Sequence, residues 1–231
     1  MFGPLVDAAF DALGFDPRTA RYLKFDLRRL YTRIRHHRRD LRQALPRLHL
    51  GCGGRKVSGW LNCDITGSDF DIDVAAQHLP FDSDQFDVIV SQHVIEHLDF
   101  DPVGIRLIEE CHRILRPAGR IWISCPDLEK MCAAYVQDRC RALDHGRKRH
   151  SPAWQSLADF PVQHRINFYF HQWGEHRNLM DFEMLRWALA HAGFRDIRRA
   201  NDSDLTAEYP EFPPRNDDFE TVLVTAVKAH A

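Results

Sequence analysis

The sequence predicts an α/β fold built on a mostly parallel sheet. Short apolar runs of strand length alternate with segments whose apolar residues recur at helical intervals. The chain has 231 residues, of which 44% are hydrophobic and 28% charged, as in ordinary globular proteins. Strands that alternate with helices imply parallel pairing through right-handed crossovers. This length fits one such domain with an appendage.

Seven segments have the pattern of strands, and one of them, Phe86 to Ser91 (FDVIVS), is an apolar run of buried-strand length. The predicted strands are residues 47–50, 60–65, 70–74, 86–91, 120–125, 194–199 and 220–227. The predicted helices are residues 18–42, 102–116, a segment opened by Asp127 as N-cap, and 182–191, which ends at Gly193. The segment 201–220 contains seven acids, one arginine and three prolines, and we expect it to be a loop.

The N-terminal region is strongly basic. Residues 18–42 carry ten Arg and Lys against two acids, with apolar residues at helical spacing. This pattern fits a solvated helix packed against the domain. It also fits a helix that binds an anionic membrane surface, a phosphorylated substrate or RNA, because clustered cations attract anions. We therefore divide the chain into a helical extension, 1–46, and a domain, 47–231, with a lid-like insertion at about 150–180.

Membrane-spanning and secreted classes are not indicated. No stretch approaches the roughly 18 apolar residues of a membrane span, and the N-terminus lacks a signal-peptide pattern. We expect a cytoplasmic protein, peripheral at the inner membrane face if the basic helix binds lipid. The six cysteines form no C-x-x-C pair and should be mostly reduced thiols.

A glycine-rich turn, Gly51-Cys52-Gly53-Gly54, follows the first strand. Ligands bind at the carboxyl ends of parallel strands, and glycines let a backbone approach them closely. A dinucleotide fingerprint would need a third glycine where Lys56 stands, and an acid about 20 residues on. Asp64 closes the second strand only 13 residues after Gly51. The pattern therefore disfavours NAD as the ligand. The remaining candidate is another nucleoside compound, whose ribose hydroxyls would be bound by Asp64.

Three segments in this order, LHLGCGGRKVSGWLNCDI, LPFDSDQFDVIVSQHVIEHL and ECHRILRPAGRIWISCPD, resemble the class I S-adenosylmethionine-dependent methyltransferases. The combination of G-C-G-G and G-W-x-N-x-D is most similar to a bacterial branch associated with polysaccharide and glycolipid pathways. The resemblance covers residues 47–130, and more loosely 175–227. It implies a Rossmann-like sheet with helices on both faces, S-adenosyl-L-methionine as cofactor and S-adenosyl-L-homocysteine as product.

The resemblance also implies a cofactor site. The glycine turn would lie under the methionine part, Asp64 would hold the ribose, and Asp73 is the nearest candidate for reading the adenine. Two departures stand out: His49 replaces the family's common acid before the first glycine, and the first helix is nearly deleted. The implied cofactor-binding residues are Gly51, Cys52, Gly53, Asp64, Ile65, Asp73, Leu79, Ser91 and Gln92.

Histidines are the candidate general bases, because their pKa lies near neutrality. His93 and His97 follow the fourth strand. Three more lie among aromatic and basic residues of the insertion, namely His164, His171 and His176. Aromatic rings stack on sugars or bases, whereas Arg and His hold hydroxyls or phosphates. The insertion can equally be a lid packed by its own aromatics. The spacings of these three histidines match no common metal site, so we predict none.

We therefore expect methyl transfer to a hydroxyl of a sugar, glycolipid or related anionic small molecule. The basic helix suggests RNA methylation as an alternative, although a nucleic acid partner is the weaker expectation. The altered first turn leaves a second alternative, a non-catalytic binding protein with this fold. The sequence does not indicate an oligomeric state.

Overall fold

The computed structural model of the protein describes residues 9–10, 12–35, 45–141, 143 and 160–229. Residues 36–42 of the predicted basic helix and residues 150–159 of the predicted insertion lie outside the described residues. Among the described helices no segment is long and apolar enough to cross a membrane.

The sheet has seven strands in the order β3-β2-β1-β4-β5-β7-β6. The strands are β1 (Arg47–Leu50), β2 (Leu61–Asp64), β3 (Phe70–Asp71), β4 (Phe86–Gln92), β5 (Leu115–Pro126), β6 (Phe194–Ala200) and β7 (Thr221–Lys228). β1 to β5 pair in parallel, and β7 runs antiparallel between β5 and β6. The predicted mostly parallel, Rossmann-like sheet is therefore confirmed.

The described helices include the four predicted ones and two that were not predicted, Val162–His171 and Asp202–Glu208. They are α1 (Pro17–Arg35), α2 (Ile105–Ile114), α3 (Leu128–Asp138), α4 (Val162–His171), α5 (Phe182–His191) and α6 (Asp202–Glu208). The Asp127 side chain accepts hydrogen bonds from the first turn of α3, which confirms it as N-cap. The prediction of a loop throughout 201–220 was wrong. Asn201 and Asp204 form a capping box there, and Leu205 of α6 is buried.

Both faces of the sheet are covered, so alternate residues of β4 and β5 enter different cores. Ile89 and Ile121 belong to the larger core, to which α2 and α5 contribute. Val90 and Trp122 face the smaller core, which contains Leu205 of α6. A third cluster joins α3 to α4 and includes Tyr169. Two-sided burial explains why Val88, Ile89 and Val90 of β4 are all apolar, whereas Asp87 near the start of the strand is exposed.

The strand order reverses between β1 and β4, because β2 and β3 extend to one side and β5 to the other. The segments that leave β1 and β4 therefore diverge at their carboxyl ends and open a crevice. In open α/β sheets this is where ligands bind. Gly51 follows β1 and His93 follows β4 at this crevice.

Candidate functional site

A cavity of about 540 Å³ opens at this crevice, and we call it the glycine-turn cavity. Small-molecule sites have volumes of about 300–1,000 Å³. Its walls come from the glycine turn, the end of β2, the segment after β4, the loop at 174–177 and α1. The lining residues are Tyr22, Lys24, Phe25, Arg28, Gly51, Gly53, Asp64, Ile65, Val74, His93, Val94, His97, Leu98, Gly174, Glu175 and Arg177.

Backbone groups fix the Asp64 carboxylate at the edge of this cavity. Its Oδ2 accepts a hydrogen bond from the Gly53 N–H at 2.7 Å, and its Oδ1 accepts one from the Ile65 N–H at 2.6 Å. Each carboxylate oxygen can accept further hydrogen bonds. Asp64 therefore presents two oriented acceptors to a ligand in the cavity.

Gly51 is required by a close approach of two chain segments. Its φ is +74°, and a Cβ at this position would lie 2.0 Å from Cγ2 of Val94. The Gly51 and Cys52 N–H groups both donate to the Cys63 carbonyl, which fastens the turn to β2. Gly53 also has a positive φ, but a Cβ added there would meet no atom within 4 Å. Gly51 sets the turn, and Gly53 keeps the cavity floor open.

The Asn62 side chain organises the shortened connection between β1 and β2. Its amide donates to the carbonyls of Val57 and Trp60, and its carbonyl accepts from the Val57 N–H. Asn62 also lies 3.3 Å from Nδ1 of the buried His49. Burial lowers the pKa of His49 to about 4. His49 is therefore a neutral core residue and does not supply the negative charge of the acid it replaces.

Helix α1 packs against the domain and closes one side of the cavity. Arg29 and Arg33 pair with the buried Asp73 carboxylate at 2.9 and 2.6 Å. The Thr32 hydroxyl donates to the Ile65 carbonyl. The extension predicted at 1–46 thus contributes a wall of the site. Asp73 anchors this wall, so its carboxylate is already occupied, against the predicted role of reading the adenine.

The remaining predicted cofactor residues lie beneath the cavity and are not among its lining residues. Ser91 and Gln92 are buried in β4, directly before the lining residue His93. Leu79 is part of the larger core. The Cys52 thiol is buried, which raises its pKa to about 11. Four of the predicted cofactor-binding residues line the cavity itself: Gly51, Gly53, Asp64 and Ile65.

A second cavity, of about 520 Å³, adjoins the first, and we call it the histidine cavity. His93 and His97 line both cavities. The other lining residues are Arg55, Glu96, Pro126, Gln172, His176, Pro214, Arg215, Asn216, Asp217, Phe219 and Glu220. The structure thus brings together three of the five predicted histidines, His93, His97 and His176.

His93 lies between two carboxylates. Its Nδ1 is 3.1 Å from Oε1 of Glu96, and its Nε2 is 3.2 Å from Oδ2 of Asp217. Burial lowers the pKa of His93, but the hydrogen bonds to Asp217 and Glu96 outweigh burial and the pKa is raised. Both nitrogens are engaged, so His93 acts here as a cationic partner between two carboxylates. As a general base it would first have to release one of them.

His97 and His176 each use one nitrogen for a structural hydrogen bond. Nδ1 of His97 donates to the Glu175 carbonyl at 3.1 Å, and Nδ1 of His176 donates to the Tyr169 carbonyl at 2.6 Å. A carbonyl can only accept, so in the neutral ring the lone pair is on Nε2. Burial lowers the pKa of His176, which favours that neutral form.

The other two predicted histidines are placed elsewhere. His164 packs against the ring of Phe160, with centroids 4.7 Å apart. His171 is exposed at the end of α4. Neither lines either of the two cavities. The insertion therefore contributes His176 alone of its three histidines.

Several residues of the histidine cavity escaped the sequence analysis. Glu96 lies within the quoted H-V-I-E-H stretch, where its position between two candidate histidines was a usable signal. Asp217 and Arg215 come from the acidic segment before β7, and Arg55 comes from the shortened turn after β1. No spacing rule relates these three positions, because only the completed sheet brings them together.

Among curated proteins, none matches this sequence. Three solved structures illustrate what the fold resembles. A chain in the complex of the Haloferax volcanii Trm112 methyltransferase activator with a methyltransferase is 19% identical over 96% of this chain and 97% of that chain, with a TM-score of 0.45. Phosphoethanolamine N-methyltransferase 2 of Haemonchus contortus, in complex with S-adenosyl-L-methionine, is 16% identical over 81% of this chain and 49% of that chain, with a TM-score of 0.43. A SAM-dependent methyltransferase from Archaeoglobus fulgidus is 15% identical over 87% and 94%, with a TM-score of 0.46.

The family model described as "Methyltransferase domain" matches residues 48–123. The match begins in β1, ends in β5 and includes the glycine turn, Asp64 and both His93 and His97. Together with the Rossmann-like sheet, it supports the resemblance to class I methyltransferases. The bacterial polysaccharide and glycolipid branch stays a prediction.

Proposed function

We propose that the protein is an S-adenosyl-L-methionine-dependent methyltransferase that acts on a hydroxyl of an anionic small molecule, such as an acidic sugar or glycolipid. One observation carries this proposal: the glycine-turn cavity and the histidine cavity share His93 and His97. A methyl donor in the first cavity and an acceptor in the second would meet at these two residues.

The glycine-turn cavity fits the donor. Asp64 offers two backbone-oriented oxygens for the ribose hydroxyls. Apolar side chains, among them Ile65, Val74 and Leu98, would surround the adenine. The bound cofactor supplies a methyl group on a sulfonium centre, which an acceptor nucleophile displaces. The chain itself orients the two reactants and excludes water from the contact between them.

The histidine cavity is lined by polar groups of both signs. Arg55 and Arg215 line it together with the carboxylates of Glu96, Asp217 and Glu220, and Arg215 pairs with Asp217 at 2.8 Å. We propose that the two guanidinium groups bind the acidic group of the acceptor. The guanidinium groups of Arg55 and Arg215 lie near each other in this wall. Burial and the charge of Arg215 therefore lower the pKa of Arg55. Guanidinium groups bind carboxylates and phosphates in a bidentate manner. The Nε2 lone pairs of His97 and His176 would contact the acceptor hydroxyl.

The test is a methyl-transfer assay with isotopically labelled cofactor and paired acceptors. Each uronic acid or sugar phosphate is compared with its neutral sugar. We expect transfer to the acidic member, and a KM at least about tenfold higher when Arg55→Gln and Arg215→Gln are combined. Arg195→Gln, an exposed arginine on β6, is the matched control. Transfer to neutral sugars alone, or to RNA alone, would contradict the proposed acceptor class.

The apolar side of α1 favours a membrane surface over RNA as the second partner. Four side chains along one face of this basic helix are exposed: Leu23, Leu27, Leu30 and Ile34, the last by 67%. RNA recognition needs cations and stacking groups, whereas an interfacial helix also needs an apolar face. Flotation with anionic liposomes should recover the protein, and Leu30→Ser with Ile34→Ser should abolish recovery. Equal recovery of both proteins would contradict this role.

A further inference from the structure

Glu96, His97 and His176 form a compact cluster at the boundary of the two cavities. Glu96 and His97 lie on the short 3-10 helix after β4, and His176 lies on the loop after α4. One ligand atom from each lies within 4.8 Å of the others, the one such group of three found among the residues that the structure describes. Backbone N–H groups of Arg177 and Asn178 donate to the Glu96 carbonyl and hold the loop against the helix.

Both imidazoles are oriented as metal ligands usually are. Their Nδ1–H groups donate to the backbone carbonyls of Glu175 and Tyr169, which leaves each Nε2 as a lone pair. Metal-binding histidines nearly always donate their second nitrogen to a carbonyl or carboxylate in this way, because it fixes the tautomer and the ring plane. The two rings lie with centroids 5.1 Å apart.

The Glu96 carboxylate supplies an independent observation. The side chain is 1% exposed, and its Oε1 is 3.1 Å from Nδ1 of His93. Its Oε2 is buried and has no hydrogen-bond partner. A carboxylate oxygen buried without a partner is costly, and a cation beside it removes that cost.

We propose that Glu96, His97 and His176 bind a divalent transition-metal ion of the zinc class. Two imidazoles and one carboxylate are a ligand set of catalytic zinc sites, in which the fourth position stays open. Magnesium and calcium prefer oxygen ligands alone. Ligand atoms around tetrahedral zinc lie about 3.3 Å apart, so modest side-chain rotations from the present separation would close the site. His93 would then orient Glu96 from behind.

The open position would face the histidine cavity, which all three ligands line. A bound ion there would replace the direct contact between the two imidazoles and the acceptor hydroxyl, and it would polarise that hydroxyl. The acceptor oxygen then bonds to the methyl carbon, the carbon–sulfur electron pair stays on sulfur, and the hydroxyl proton passes to water. This activating role rests on the proposed function, but the metal site itself does not. The proposal revises the expectation of no metal site, which considered spacings within the insertion alone.

The experiment measures metal binding without turnover. Full-length protein is dialysed against a chelator and titrated with Zn²⁺ by calorimetry, and with Co²⁺ by its visible absorption. We expect one site per chain. The variants Glu96→Gln and His176→Gln should each weaken binding by at least about 100-fold, as expected when one of three protein ligands is lost. His191→Gln, an exposed histidine on α5, is the matched control, and circular dichroism checks that each variant folds.

Three outcomes would overturn the metal site: no binding by the wild type, unchanged affinity in folded Glu96→Gln and His176→Gln, or an equal loss in His191→Gln. Tight binding lost only in the two ligand variants would support it. Methyl-transfer assays separate this from the proposed function. Metal binding without any methyl transfer would refute the function and leave the site standing, whereas full transfer in chelator-treated protein would refute the activating role.

Discussion

The two cavities that meet at His93 and His97 are built in different ways. The predicted part of the glycine-turn cavity comes from one short stretch, residues 51–65, and backbone N–H groups hold its carboxylate. The histidine cavity combines residues 55, 93–97, 126, 172–176 and 214–220. The predicted part of the first cavity is a local structure that one motif encodes, and α1, the segment after β4 and the loop at 174–177 complete its walls. The second exists only once the sheet and the insertion have assembled.

The polar groups of the two cavities also differ in how completely they are hydrogen-bonded within the protein. The Asp64 carboxylate accepts hydrogen bonds from the N–H groups of Gly53 and Ile65, both within the stretch 51–65. In the histidine cavity, Oε2 of Glu96 is buried without a partner, and His93 is held between two carboxylates. The donor side is therefore preorganised, whereas the acceptor side has binding capacity that a ligand would use. The following predictions test this contrast.

Gly51→Ala should disrupt the preorganised side most strongly. Its Cβ would overlap Val94, and its φ of +74° is unfavourable for alanine. We expect the free energy of unfolding to fall by about 3 kcal/mol, from backbone strain and overpacking together. Urea denaturation measures this. Gly54→Ala, which has open space around it and no positive φ, should cost far less, and adding Val94→Ala should recover part of the loss. Equal effects at the two glycines would contradict the close approach.

Asp64→Ala should remove the donor's ribose contacts without unfolding the domain. We expect the Kd for S-adenosyl-L-homocysteine to rise about 100-fold, which corresponds to the loss of two hydrogen bonds to a charged group. Calorimetry measures the change. Asp87→Ala, an exposed carboxylate that pairs with Arg116, is the control and should bind normally. A normal Kd in Asp64→Ala would show that the donor is held elsewhere.

His49 should make the protein less stable in acid. Its pKa is about 4 in the folded protein and about 6.5 in the unfolded chain, so below pH 6.5 the unfolded chain takes up a proton that the folded protein does not. Above pH 7 this difference in protonation does not affect stability. By pH 5 it should lower the free energy of unfolding by about 2 kcal/mol. Denaturation of the wild type and of His49→Gln at pH 7, 6 and 5 gives the free energy of unfolding of each protein as a function of pH. If both free energies fell equally with pH, the assignment of His49 as a buried neutral residue would be contradicted.

Loosening the wall formed by α1 should weaken cofactor binding less than the loss of Asp64 does. Arg29→Gln with Arg33→Gln leaves Asp73 buried without its cations and loosens the helix. We expect the affinity for S-adenosyl-L-homocysteine to fall about tenfold. The control is Arg186→Gln, whose arginine pairs with Glu183 on the exposed side of α5. Unchanged affinity would mean that α1 is not a functional wall.

Sequence reasoning succeeded where one periodic pattern decides the structure. The buried run of β4, the cap at Asp127 and the turn that carries Asp64 all depend on neighbouring residues, so they could be predicted. The helix α6 was missed because acids and prolines dominated its segment, although Asn201 and Asp204 form a recognisable capping box. The pairing of Asp73 with Arg29 joins residues 44 positions apart, and neither residue's surroundings in the sequence indicate it.

The same limit applies to the candidate site. His93, His97 and His176 were chosen individually for their chemistry, but so were His164 and His171, which lie away from both cavities. Residue type suggests what a side chain can do. Whether it faces a cavity depends on the path of the insertion, which places His176 beside Glu96 across 80 residues of chain. Candidate residues could therefore be chosen by type from the sequence, whereas their assembly could not be predicted.

The central claim is that the glycine-turn cavity binds the methyl donor. The most direct measurement is calorimetric titration of the folded wild-type protein with S-adenosyl-L-homocysteine. We predict one site per chain with micromolar affinity, and competition by S-adenosyl-L-methionine for the same site. If the folded protein bound neither compound, the cavity would not be a donor site, and the non-catalytic alternative would replace the proposed methyltransferase.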